Sequence, residues 1–175
     1  FKNIIDKKNK IISKYKILSD IIKNNKNNYH LIDYDITNKK LFSESLNKIN
    51  NSENDLTIVI CECLLVYIDK DVTVEMLSCI TNRFDNVYIL EYDLIGADDP
   101  FGKEMVDNLK TRNINLRGFN DVKNIKDQIE RLKEVKFEDV DMVDVYYVYF
   151  KLLPPNDRNR IQRLELMDEF EELNL

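Results

Sequence analysis

Residues Leu56–Ile68 read LTIVICECLLVYI, and in this stretch Glu62 is the only charged residue. A continuous apolar run rich in β-branched side chains suits a parallel strand covered on both faces. Asn86–Leu94 has the same character and predicts a neighbouring strand. Between them, Asp69 and Asp71 stand where a helix would be capped, ahead of Val72, Val74, Met76, Leu77 and Ile80. Strand, helix, strand in this order predicts an α/β fold with a mostly parallel sheet.

Working outward, the apolar spacing in Phe1–Ile22 predicts a helix, and Lys23–Asn28 reads as an asparagine and lysine loop. Tyr29–Asp35 predicts a short strand, Leu41–Ile49 a short helix, and Asn50–Asp55 a polar loop. Downstream, Phe101, Met105 and Leu109 mark one helix face, and Val122, Ile125, Ile129 and Leu132 another. Phe137–Phe150 is strand-like in pattern throughout. Pro154 and Pro155 break the chain before a last helix over Arg160–Leu173. No internal repeat or second domain is visible, so residues 1–175 read as a single domain. The chain starts at Phe1 and runs straight into a helical segment, as a piece of something longer would.

With 175 residues, 43% of them hydrophobic, the chain can bury a real core. A net charge of -6 argues against binding a nucleic-acid backbone, because it adds repulsion to a polyanion. No stretch approaches the ~20 apolar residues of a membrane helix. Cys61, Cys63 and Cys79 follow no disulfide framework, which suits a reducing, cytoplasmic compartment.

The acids close to strand ends are the candidates for chemistry. An ionised Glu62 within a dry sheet would cost several kcal/mol unless partnered. Either the strand ends near Cys61 and Glu62 faces water, or Glu62 sits at a strand's carboxyl end, where open α/β sheets bind ligands. HLIDYDI finishes in Asp33 and Asp35, and YILEYDL in Glu91 and Asp93. Parallel strands would bring such carboxylates to one rim, suited to a ligand with an amine, an amide-like donor or a positive centre. S-adenosylmethionine offers all three. Acids also make turns, and Glu91 and Asp93 read better as structural.

A rival reading exists. Asp33-Tyr34-Asp35-Ile36-Thr37 matches the DxDxT pattern of haloacid dehalogenase-like magnesium phosphatases, in which the first acid is a nucleophile. Their later glycine-aspartate metal motif has no counterpart among Gly96, Gly102 and Gly118. His30 is the sole histidine, reads as a surface or boundary residue, and leaves no basis for a serine or cysteine triad. Cys61 and Cys63 read as small buried thiols, with no metal site expected.

CECLLVY at Cys61–Tyr67 resembles the ECxLxY signature of leucine carboxyl methyltransferases. Three further segments agree in order and spacing. Phe101-Gly102-Lys103-Glu104-Met105 with Asn108-Leu109 is similar to that family's FGxxM…NL helix. Asp127-Gln128 with Glu130-Arg131-Leu132 resembles its (S/D)QxERL helix, and Arg160-Ile161 with Leu164-Glu165, Asp168-Glu169 and Glu171 its closing RIxxLExxDExE helix.

The resemblance implies a Rossmann-like class I methyltransferase fold, of which this chain is the carboxyl-terminal portion lacking the first strands. It implies S-adenosylmethionine as cofactor, with Glu62 on its methionine portion and Asp35 and Ile36 at its adenine. Tyr67 would lie beside the incoming carboxylate, with strand-end packing as the alternative role. The implied substrate is the terminal leucine of a type 2A protein phosphatase catalytic subunit. The implied structural partner is the remaining amino-terminal half, with its glycine-rich cofactor loop and carboxylate-binding arginine. Asp33-Tyr34 and an extra residue near Tyr146–Phe150 depart from the family pattern, leaving Tyr149 without a counterpart. A chain that is only a binding or scaffold piece is the further alternative.

Overall fold

The computed structural model describes residues 2–24, 29–49, 55–164 and 170. The sequence reads as one domain, but by its contacts the chain divides into two compact units, 1–52 and 53–175.

In the first unit the expected opening helix is two helices, α1 (Lys2–Lys14) and α2 (Lys16–Asn24). Tyr15 separates them, although its N–H still donates to Ile11 O at 3.2 Å. Residues 25–28, where most of the predicted loop falls, lie outside the described residues. Tyr29–Asp35 is not a strand. No described strand pairs with it, so its apolar residues join no ladder. Helix α3 (Lys39–Leu46) agrees with the predicted short helix, because Asn38 caps it by accepting the Leu41 N–H at 3.1 Å.

The second unit holds the parallel pair that the sequence predicts. Strand β1 (Thr57–Glu62) and strand β2 (Val87–Tyr92) run parallel in the register Thr57↔Val87 to Glu62↔Tyr92. Helix α4 (Lys70–Arg83) connects them and buries Thr73, Met76, Leu77 and Ile80. Asp69 occupies the N-cap position, but its side chain does not cap; it pairs with Arg117 at 3.0 Å. The apolar run continues to Ile68, yet β1 stops at Glu62. Cys63 takes φ 45, and Leu65–Tyr67 close into a 3₁₀ turn that buries Leu65 and Val66. Core burial, not strand pairing, accounts for the second half of the run.

Helices α5 (Pro100–Thr111) and α6 (Ile125–Glu134) fall where predicted, capped by Asp99 and Asn124. Val122 precedes α6 and follows a second 3₁₀ turn, Phe119–Asp121. Val66, Leu116 and Phe119 form a buried cluster against which Leu94, Met105, Val106 and Leu109 pack.

Phe137–Phe150 is not a strand. Its first half has no ladder, although Phe137–Val143 and β2 line the same hollow of about 740 Å³. Its second half is helical: α7 (Val145–Tyr147) runs into a π-turn, Val148–Leu152, after the Asp144 carboxylate caps it. The last helix, α8 (Pro155–Leu164), begins earlier than expected; residues 165–169 and 171–175 lie outside the described residues.

One face of the sheet is open. Ile58 and Ile60 of β1 and Tyr88, Leu90 and Tyr92 of β2 are all exposed, Ile60 by 68% and Leu90 by 62%. A parallel sheet is ordinarily covered on both sides. Within the second unit, the described residues leave this one open.

Candidate functional site

The two strands run parallel, so their carboxyl ends share one rim. Glu62 is the last residue of β1 and stands opposite Tyr92, the last of β2. The ladder runs one bond further, where Cys63 donates its N–H to Tyr92 O at 2.7 Å. Glu62 lies on the open face and is exposed, so the desolvation cost that singles it out in the sequence is not incurred. Its carboxylate makes no hydrogen bond or ion pair with any described residue. It stands at the rim where ligands of open α/β sheets bind.

Tyr67 ends the 3₁₀ turn beyond Glu62 and is about half exposed. Two groups hold the turn behind it. The Asp93 carboxylate accepts the Val66 N–H at 3.0 Å through Oδ2 and the Leu94 N–H at 3.0 Å through Oδ1. From the other side, Gly118 donates its N–H to Val66 O at 2.9 Å. A Cβ on Gly118 would lie 2.2 Å from Leu65 O and 2.4 Å from Ile68 O, so only glycine fits this approach.

Beneath the rim lies an ion pair that sequence reasoning missed. Arg131 of α6 pairs with Glu91 of β2, their side chains 3% and 4% exposed. The signal was an arginine on the apolar face of α6, next to Leu132, facing a lone acid in a strand. Burial pushes the Glu91 carboxyl above its ordinary value, with Arg131 opposing. Burial also raises Asp93, against the backbone N–H groups it accepts. Cys61, buried between them in the core, has its thiol pushed up to about 11 by burial, then by Glu91 and Asp93. Glu91 and Asp93 are thus structural, as their sequence context suggests. Cys63, in contrast to the expectation, is exposed, because it leaves the strand at the turn.

Asp35 and Ile36 belong to the first unit, Glu62 and Tyr67 to the second. Asp35 Oδ1 accepts both the N–H and the hydroxyl of Thr37, at 2.9 and 2.7 Å, and these bonds hold its carboxyl below the usual value. Its Oδ2 takes no hydrogen bond from a described residue. DxDxT therefore forms a local turn leading into α3. Among the described residues there is no group of acids, cysteines or histidines able to hold a metal ion, so the phosphatase reading gains no support. His30 is exposed. Among the described residues, no helix is long and apolar enough to cross a membrane.

No family profile matches the chain. Curated proteins do. The chain is 32% identical to leucine carboxyl methyltransferase 1 of Bos taurus over 143 residues, covering 82% of this chain and 43% of that protein. It is 31% identical to leucine carboxyl methyltransferase 1 of Caenorhabditis elegans over 144 residues, with the same coverages. A weaker likeness, 24% over 147 residues, links 84% of it to 21% of the tRNA wybutosine-synthesizing protein 4 of Rattus norvegicus. The chain spans less than half the length of these relatives. By its identity to the bovine and nematode proteins, it belongs to the leucine carboxyl methyltransferase family.

Proposed function

We propose that this chain is part of an S-adenosylmethionine-dependent methyltransferase with a Rossmann-like sheet, acting in the cytoplasm. Its substrate is the terminal leucine carboxylate of a type 2A protein phosphatase catalytic subunit. The observation that carries this reading is the likeness to leucine carboxyl methyltransferases, together with an unpartnered carboxylate at the carboxyl rim of a parallel sheet.

The residues present fit the cofactor. Glu62, exposed and without a partner among the described residues, suits an α-amine, and Asp35 keeps an acceptor oxygen to which no described residue donates, for an adenine amino group beside Ile36. When bound, the cofactor would supply an electrophilic methyl on a sulfonium. Tyr67, projecting from the turn after Glu62, borders the incoming carboxylate. A terminal carboxyl ionises at a pKa of about 3.3–3.7, so it attacks without a general base. The chain's residues act by alignment, which contributes roughly 7–11 kcal/mol when the reacting groups are held in near-attack geometry.

The remaining amino-terminal portion of the protein is the proposed structural partner. It supplies the glycine-rich cofactor loop and the arginine for the substrate, so the 175-residue chain alone is expected to be inactive. Titration calorimetry on the complete protein tests the cofactor role. Glu62→Ala should cost about 1.5–3 kcal/mol of S-adenosylmethionine binding with the fold intact. Unchanged affinity would remove Glu62 from the site. Methyl transfer by the 175-residue chain alone, assayed on the phosphatase subunit, would refute the divided site.

A further inference from the structure

We infer that Asp93 is the positioning residue for the acceptor side of this site: its carboxylate fixes the turn that presents Tyr67. The inference rests on the methyltransferase reading above.

Asp93 is the first residue after β2, 27 positions from the Val66 whose N–H it accepts. Both of its oxygens are used, one for each chain segment, and the Leu65 N–H also contributes. Only an acceptor without donors suits this place. A carboxamide would turn an N–H₂ group towards one of the backbone N–H groups. With Gly118 on Val66 O and Asp93 on Val66 N–H, the peptide groups on both sides of Val66 are pinned. The Val66 side chain is buried, and Tyr67 is the next residue outward. Glu62, by contrast, is held by the β1–β2 ladder, which Asp93 does not enter. The division is therefore specific. Asp93 governs the acceptor, and the ladder governs the cofactor carboxylate.

The test has two arms. In the 175-residue chain, amide hydrogen exchange should show Asp93→Asn lowering protection at Val66 about tenfold, as loss of a charge-assisted bond requires. The ladder amides of Ile60 and Leu90 should keep theirs. In the complete enzyme, the same variant should raise KM for a leucine-terminated peptide about tenfold. Its S-adenosylmethionine affinity should stay within about twofold of wild type, since no cofactor contact is lost. Unchanged Val66 protection, or KM and cofactor affinity moving together, would overturn the inference. If Asp93→Asn does not fold, the wild-type chain decides. The Val66 amide shift must follow the Asp93 carboxyl carbon with one midpoint, resolved from those of Glu91, Cys61 and Cys63, which with the fixed charge of Arg131 are the groups that act electrostatically on or with Asp93. Different midpoints would equally overturn it. Failure of the methyltransferase reading looks different: Glu62→Ala would leave cofactor affinity unchanged while Val66 protection still depended on Asp93.

Discussion

Replacing Arg131 with methionine while keeping Glu91 isolates the cost of a buried charge. The two side chains are 3% and 4% exposed, and the other charge acting on Glu91, that of Asp93, is negative. Removing one partner of such a pair costs roughly 3–5 kcal/mol, because the survivor stays buried and ionised. The cost depends on pH. The Glu91 carboxyl already lies above its ordinary value in the fold, and losing Arg131 moves it higher. A carboxyl raised in the folded state stabilises most below its unfolded pKa, and that contribution is lost as pH rises through the folded value. Arg131→Met should therefore be least harmful in acid, its penalty easing by up to about 1.4 kcal/mol per pH unit once Glu91 takes up a proton. Urea unfolding of wild type and variant, followed by circular dichroism at pH 7.5 and pH 5, measures both effects. A second variant, Arg131→Met with Glu91→Leu, should return to within about 1.5 kcal/mol of wild type, since apolar replacement of a whole buried pair is often neutral. A penalty under ~1 kcal/mol at pH 7.5, or the same penalty at both pH values, would refute the reasoning.

Gly118→Ala should cost about 3 kcal/mol or more, because its Cβ would meet backbone oxygens of Leu65 and Ile68, which cannot rotate away; thermal melts read this directly. Alkylation followed by mass spectrometry should modify the exposed Cys63 in the native chain and the buried Cys61 only on unfolding. The thiol of Cys61 is raised from 9.0 to about 11, so its contribution to stability is complete below pH 9 and lost as pH rises through about 11. Cys61→Val should flatten that alkaline loss in unfolding curves.

The parallel pairing was legible because Leu56–Ile60 and Val87–Leu90 are apolar on both strand faces, a pattern with few other solutions. The point where β1 stops was not. Leu64–Ile68 are as apolar as the strand, and only the Cys63 backbone and the approach of Gly118 show that they turn into the core. Tyr29–Asp35 and Phe137–Val143 carry strand patterns without described strands to pair with, and pattern cannot supply a neighbour. For Val145–Leu152 a helical signal was present in Asp144, a capping residue set before Val145, but β-branched and aromatic residues outweighed it. At the proposed site, Glu62 stood out by its strand-end position and Tyr67 by the resemblance alone. Asp93 was seen as an acid at a strand end, but its reach to Val66 depends on tertiary contact that spacing does not encode.

The β1–α4–β2 segment also bears on the order of folding. Every ladder pair joins residues thirty apart, so one closure of a single connection brings the whole register together. Closing a longer loop adds only about 0.6 kcal/mol for each doubling of length, and the connection here is largely taken up by one helix. Residues 57–92 are therefore the natural nucleus of the second unit: a contiguous stretch emerging from the ribosome before α5 and α6. Mutations in its ladder should slow folding, whereas those that loosen Arg131 or Gly118, which dock later in sequence, should mainly speed unfolding.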